Sequence, residues 1–141
     1  MPNEPSNHPP ASVRRAVLCI WISIALVVLL SVGSVLGVAD IPSNVATLVT
    51  SVLTACLLAL VAVKVSAGKG WARWLYAALF VFGSAGFVAL ALLVPEVFNV
   101  LPMALKASGF VQFALQGAAF ALMFTQASRQ WFGANKVPSA P

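Results

Sequence analysis

Four long stretches of this chain, 16–39, 45–65, 74–94 and 103–128, are apolar and hold only two charges among them, Lys64 and Lys106. No other feature restricts the fold as much. About 20 apolar residues wound as a helix reach about 30 Å, the thickness of the hydrocarbon layer of a bilayer. The whole chain has 141 residues, 61% hydrophobic and 8% charged. Soluble domains carry roughly 25% charged residues, so the solvent of most of this chain is expected to be lipid. The fold class follows as all-α, an antiparallel bundle of four transmembrane helices arranged as two helical hairpins.

Residues 1–12 hold four prolines and no apolar periodicity, and read as a disordered cytoplasmic tail. The transmembrane domain is expected over 13–132, with a short polar tail over 133–141. Arg14 and Arg15 precede the first span. They resemble the basic flank of a signal peptide, but the apolar run that follows exceeds the about 7–15 residues of such a segment. Within it, Gly33-Ser-Val-Leu-Gly37 is a G-x-x-x-G pattern. Two glycines four apart share one helix face and admit a neighbouring backbone, so Gly33 and Gly37 are expected to pack against the second helix.

Asp40-Ile-Pro-Ser-Asn44 makes the first turn, with Ser43 or Asn44 placed to cap the second helix. Thr47, Thr50, Ser51 and Thr54 then line one side of that helix. The loop 66–74 holds Lys69, Trp71, Arg73 and Trp74 between the two hairpins. Pro95 and Pro102 bracket an apolar connection expected to lie in the membrane interface. On the fourth helix, Ser108, Gln112, Gln116, Ala119, Met123 and Gln126 fall in one sector at about 100° per residue. Phe110, Phe113, Phe120 and Phe124 fall roughly opposite. The polar stripe should face the bundle and the phenylalanines lipid, with Lys106 snorkelling at the outer end.

Four crossings put Arg14, Arg15, Lys64, Lys69, Arg73, Arg129 and Lys136 on one side and Lys106 alone on the other. This asymmetry predicts that both termini face the cytoplasm. Trp71, Trp74 and Trp131 should mark the same boundary and, with Arg14, Arg15, Arg73 and Arg129, anchor the helices there. The net charge of +5 comes from basic residues spread singly along the chain, not from a stripe that would follow nucleic acid.

Three segments, 10–16 (PASVRRA), 68–73 (GKGWAR) and 124–132 (FTQASRQWF), together resemble uncharacterised small four-helix inner-membrane proteins of bacteria. That resemblance implies a bacterial cytoplasmic membrane and a compact bundle. It implies no activity and no site residues.

Several function classes lack their parts. A proton-coupled exporter needs an acid within a span, whereas Asp40 and Glu96 fall in turns. The lone His8 lies in the tail, which leaves no histidine for a metal, a haem or a catalytic base. Cys19 and Cys56 lie inside apolar runs and read as small hydrophobes. No catalytic, cofactor or metal site is therefore expected. The partners are the lipid bilayer and another membrane protein or a second copy, without nucleic acid. The leading expectation is a non-enzymatic accessory or partner-binding membrane component. The alternative is a small oligomeric transporter or channel using Ser108, Gln112 and Gln116.

Overall fold

A computed structural model describes residues 9–37 and 44–134. The expected tails over 1–8 and 135–141, and most of the turn with Asp40 and Pro42, lie outside the described residues. Among the described residues all regular structure is helical. Six helices follow in order: α1 (Ala11–Val35), α2 (Val45–Ser66), α3 (Gly70–Leu93), α4 (Pro95–Val100), α5 (Met103–Met123) and α6 (Gln126–Ala134). Helices α1, α2 and α3 are each long and apolar enough to cross a membrane. A fourth candidate forms if α5 and α6 count as one span, although the chain turns through 62° between them.

The helix ends depart from expectation at several points. Helix α1 begins at Ala11, so Ala11 and Ser12 belong to it and not to the tail. Pro10 holds φ −59° just before the first turn, where its missing N–H costs nothing. Its carbonyl accepts from Arg14 N–H at 3.1 Å. Helix α1 ends at Val35, short of the expected 39, and Gly37 follows in the left-handed region at φ +66°. A β-carbon on Gly37 would meet nothing within 4 Å. Gly37 thus serves helix termination and is not a packing residue, and Gly33 is only half-buried. The G-x-x-x-G pattern is not a helix face, because its second glycine lies beyond the helix.

Helix α2 starts as expected: Asn44 Oδ1 accepts from Thr47 N–H at 2.8 Å and from the Thr47 hydroxyl at 2.9 Å. It stops through a Schellman motif. Gly68 takes φ +71°, Lys69 N–H bonds the Lys64 carbonyl at 3.0 Å, and Gly68 N–H bonds Val65 at 3.0 Å. That stop is so abrupt that only Ala67, Gly68 and Lys69 separate α2 from α3. Trp71, Arg73 and Trp74 therefore sit in the first turns of a helix instead of a loop. The connection after α3 is itself helical: Pro95 opens the short α4.

The expected single helix over 103–128 is broken. Thr125 Oγ1 and Ser128 Oγ both donate to the Leu122 carbonyl, at 3.0 and 2.8 Å. Hydroxyls that take a backbone acceptor compete with the helical ladder. The chain turns there, and α6 restarts with Arg129 N–H on the Thr125 carbonyl at 3.0 Å. Gly133 and Ala134 belong to α6 and not to the tail.

Helices α1, α2, α3 and α5 pack in a ring, with α1 against α2 and α5, and α3 against the same two. Packing is uneven along their length. Val13, Ala16, Ile20, Ser23 and Ile24 are buried on α1, Leu58, Val61, Ala62 and Val65 on α2, Ala72 and Tyr76 on α3, and Ala119 and Met123 on α5. With Ser128 and Phe132 of α6 they form one core at the end that carries the basic residues. Among the described residues toward the other end, only Ser34 is buried. The outward faces are apolar: Leu29 is 69% exposed and Phe82 77%. Continuous apolar surface of this extent is rare on soluble monomers and unremarkable in lipid, where burying it gains nothing.

Candidate functional site: a hydroxyl-lined cavity beside Gln112

The polar stripe of α5 lies where the tight core gives way to the open end. Gln112 Nε2 donates across to the Ser23 carbonyl of α1 at 2.9 Å. Gln116 Nε2 reaches back to Gln112 Oε1 at 3.5 Å. Tyr76 of α3, almost fully buried, donates its hydroxyl to the Gln116 carbonyl at 3.1 Å. Ser108 instead donates to its own helix, at the Leu105 carbonyl, 2.9 Å. Gln112, Gln116 and Tyr76 thus tie α1, α3 and α5 at one level, with Ser108 one turn beyond. Gln126, expected on the same stripe, is carried away by the bend and is exposed.

Beyond this level the helices separate. A cavity of about 190 Å³ opens between α1, α2 and α5. Its polar lining is Ser31, Ser34, Thr47, Ser51, Ser108 and Gln112, and its remaining walls include Val27, Leu48 and Leu105. A second cavity, of about 210 Å³, lies between α3 and α5 against Ser84, Phe87, Gln112 and Gln116. Gln112 and Gly109 line both. A β-carbon on Gly109 would come within 2.5 Å of the Phe87 ring, so the bare glycine lets that ring lie against α5. Among the described residues, none that lines either cavity is ionisable. Hydroxyls and amides can bind and orient a ligand. They supply no acid, base or activated nucleophile. Among the described residues no group of three or more His, Cys, Asp or Glu side chains is placed to hold a metal.

The phenylalanines expected to face lipid also pack against α3. Phe113 and Phe120 lie 5.8 and 5.4 Å from Phe80, and Phe110 lies 5.5 Å from Phe87. Phe124 meets Trp74 edge-on at 5.5 Å. These pairs form the seam between α3 and α5, while Phe110 and Phe113 remain largely exposed. At the open end Lys106 donates to the Asn99 carbonyl at 2.9 Å and lies 5.6 Å from the Phe98 ring. It therefore ties α5 to α4.

The expected anchors gather at the packed end. Ser12 of α1 bonds Ser128 of α6 at 2.9 Å. Arg14, Arg15 and Arg129 are exposed, as are Trp71 and Trp74, while Trp131 is half-buried. Arg73 differs from the rest. Its guanidinium lies 5.6, 5.9 and 5.5 Å from the rings of Trp74, Phe124 and Phe132, and its Nε and Nη1 are buried without a hydrogen-bond partner. Aromatic faces hold it in place of oxygen acceptors.

Sequence reasoning placed Tyr76 in the aromatic boundary with Trp71, Trp74 and Trp131, whereas it is buried against Gln116; it missed the serines of α1 and the break at Thr125. Ser23, Val27, Ser31 and Ser34 are spaced by four, four and three residues, one helix face, so that signal was present. Compared with known protein families, curated proteins and solved structures, the chain matches none.

Proposed function

We propose that this chain is a multi-pass protein of the bacterial cytoplasmic membrane. Its helices form an antiparallel four-span bundle of two hairpins, with α5 and α6 together as the fourth crossing and both termini inside. Within that membrane it acts as a non-enzymatic binding component. The observation that carries this reading is the cavity beside Gln112, which among the described residues is lined by hydroxyls, an amide and apolar side chains. The exposed apolar flanks support an embedded partner, either another membrane protein or a second copy. The basic residues at the packed end support its cytoplasmic placement. A cytoplasm-specific reporter fused after Pro141 is expected to be active and a periplasm-specific one silent; the reverse outcome would overturn the topology.

A small oligomeric transporter is the second reading. The cavity favours it, while the packed core that includes Ile20, Tyr76 and Met123 opposes a continuous path in this conformation. Replacing Gln112 and Gln116 with leucine separates a site from a structural tie. Interhelical hydrogen bonds in membranes contribute about 0.6 kcal/mol on average, so the double variant should remain folded. It is expected to lose ligand or partner capture, read by crosslinking in native membranes, or solute flux in proteoliposomes. Unchanged capture and flux in a folded double variant would sink the site.

A further inference from the structure

The Arg73 guanidinium has Nε and Nη1 buried without a hydrogen-bond partner. The rings of Trp74, Phe124 and Phe132 lie 5.5 to 5.9 Å from it. Rings attract a cation but carry no net charge, so they leave its positive charge uncompensated. A charge withdrawn from water without a counter-charge is strongly disfavoured. Arg73 as a whole is only half-buried, so an anion can approach it from outside, and a guanidinium fork matches phosphate oxygens. The surface that continues from Arg73 narrows the choice of anion. Phe80 lies two turns along the same side of α3. It stacks on Phe120 at 5.4 Å and meets Phe113, 45% exposed, at 5.8 Å. Past these rings the second cavity, of about 210 Å³, opens against Ser84 and Phe113.

We infer that an anionic phospholipid occupies the outer side of the α3–α5 seam. Its phosphate pairs with Arg73, and one acyl chain runs over Phe80, Phe120 and Phe113 to the second cavity. This rests on reading the chain as membrane-embedded, and not on the cavity between α1, α2 and α5. Length supports it. Arg73 and Ser84 are eleven residues apart on α3, which spans about 16 Å at a rise of 1.5 Å per residue. Half of a hydrocarbon layer of about 30 Å is about 15 Å, the reach of one leaflet's chains. Charge supports a lipid of net negative charge. A zwitterionic lipid balances its phosphate with its own ammonium and would leave Arg73 uncompensated. A free phosphate would pair with the charge but gain nothing from the rings beyond it.

A phosphatidylglycerol with a photoreactive diazirine at the end of one acyl chain tests this. It is added sparingly to phosphatidylcholine nanodiscs that hold the full chain, and adducts are mapped by peptide mass spectrometry. They should concentrate in 83–87 and 109–116 and be displaced by unlabelled phosphatidylglycerol, while inorganic phosphate leaves them in place. The same probe with a phosphocholine headgroup should give about tenfold fewer adducts there, the scale of one charge-assisted hydrogen bond. Arg73→Gln should lower the phosphatidylglycerol yield by about the same factor. Arg14→Gln, at an exposed arginine of α1, should leave it unchanged. Adducts spread evenly over the exposed helix faces overturn the site, as do equal yields from the two headgroups or equal effects of the two substitutions. Displacement by inorganic phosphate overturns the lipid in favour of a free anion. The map and the headgroup comparison use the unaltered chain, so they decide the matter even where Arg73→Gln does not fold. A chain that fails to enter nanodiscs overturns the membrane reading as well.

Discussion

Met123→Ala is expected to destabilise the protein by about 2 kcal/mol or more, the lower part of the range for emptying a buried methionine site. Met123 is fully buried, at the level where α5 meets the core of α1, α2 and α3. In lipid the solvent-transfer part of the loss is small, so the cost is mostly lost close contacts around the vacated volume. The same truncation at Leu29, 69% exposed, should change stability by less than about 0.5 kcal/mol. Unfolding in mixed micelles at increasing denaturing-detergent fraction measures both. Equal losses at the two positions would contradict the uneven packing on which the cavity depends.

Ser128→Ala is the second large effect. The Ser128 hydroxyl is fully buried and bonds Ser12, Thr125 and the Leu122 carbonyl at 2.9, 3.0 and 2.8 Å. Alanine keeps the backbone and removes every one of these ties. Thr125 still reaches Leu122, so the carbonyl retains one partner, but α6 loses its bond to α1. The expected cost is about 1–3 kcal/mol, that of breaking a buried polar set by deleting one member. Hydrogen exchange should rise over 126–134 and stay unchanged over 16–24. A uniform rise across the chain would mean that Ser128 supports the whole core and not the attachment of α6.

Both predictions concern places where local pattern and packing part company. The polar stripe was legible because Ser108, Gln112 and Gln116 recur at intervals of four, and the helical period alone places them on one face. That Gln112 reaches α1 while Ser108 turns back on its own helix was not legible. Each side chain had several acceptors within reach, and the approach of α1 chose between them. Asn44 was legible as one of two candidate caps, with Ser43, since a capping side chain needs only the next turn of its own helix. Gly37 misled, because a glycine that ends a helix and one that packs inside it look alike in sequence. The break after Met123 was hidden for a related reason. Thr125 and Ser128 continue a helical pattern, and only the buried contact with Ser12 favours their hydroxyls at Leu122 over the next backbone N–H.

The sequence by itself determined that the chain is helical and that several helices are apolar and long enough to cross a membrane. Those properties depend on side-chain hydropathy and on hydrogen bonds four residues apart. Only the tertiary structure decided that the helices close at the basic end and part at the other. Small residues such as Ala16, Ala62, Ala72 and Ala119 let the backbones approach at one end. Aromatic contacts such as Phe80 with Phe113 and Phe87 with Phe110 occupy the α3–α5 seam farther along. The cavity beside Gln112 arises from that difference in spacing, which depends on which faces meet and so on no single segment read alone.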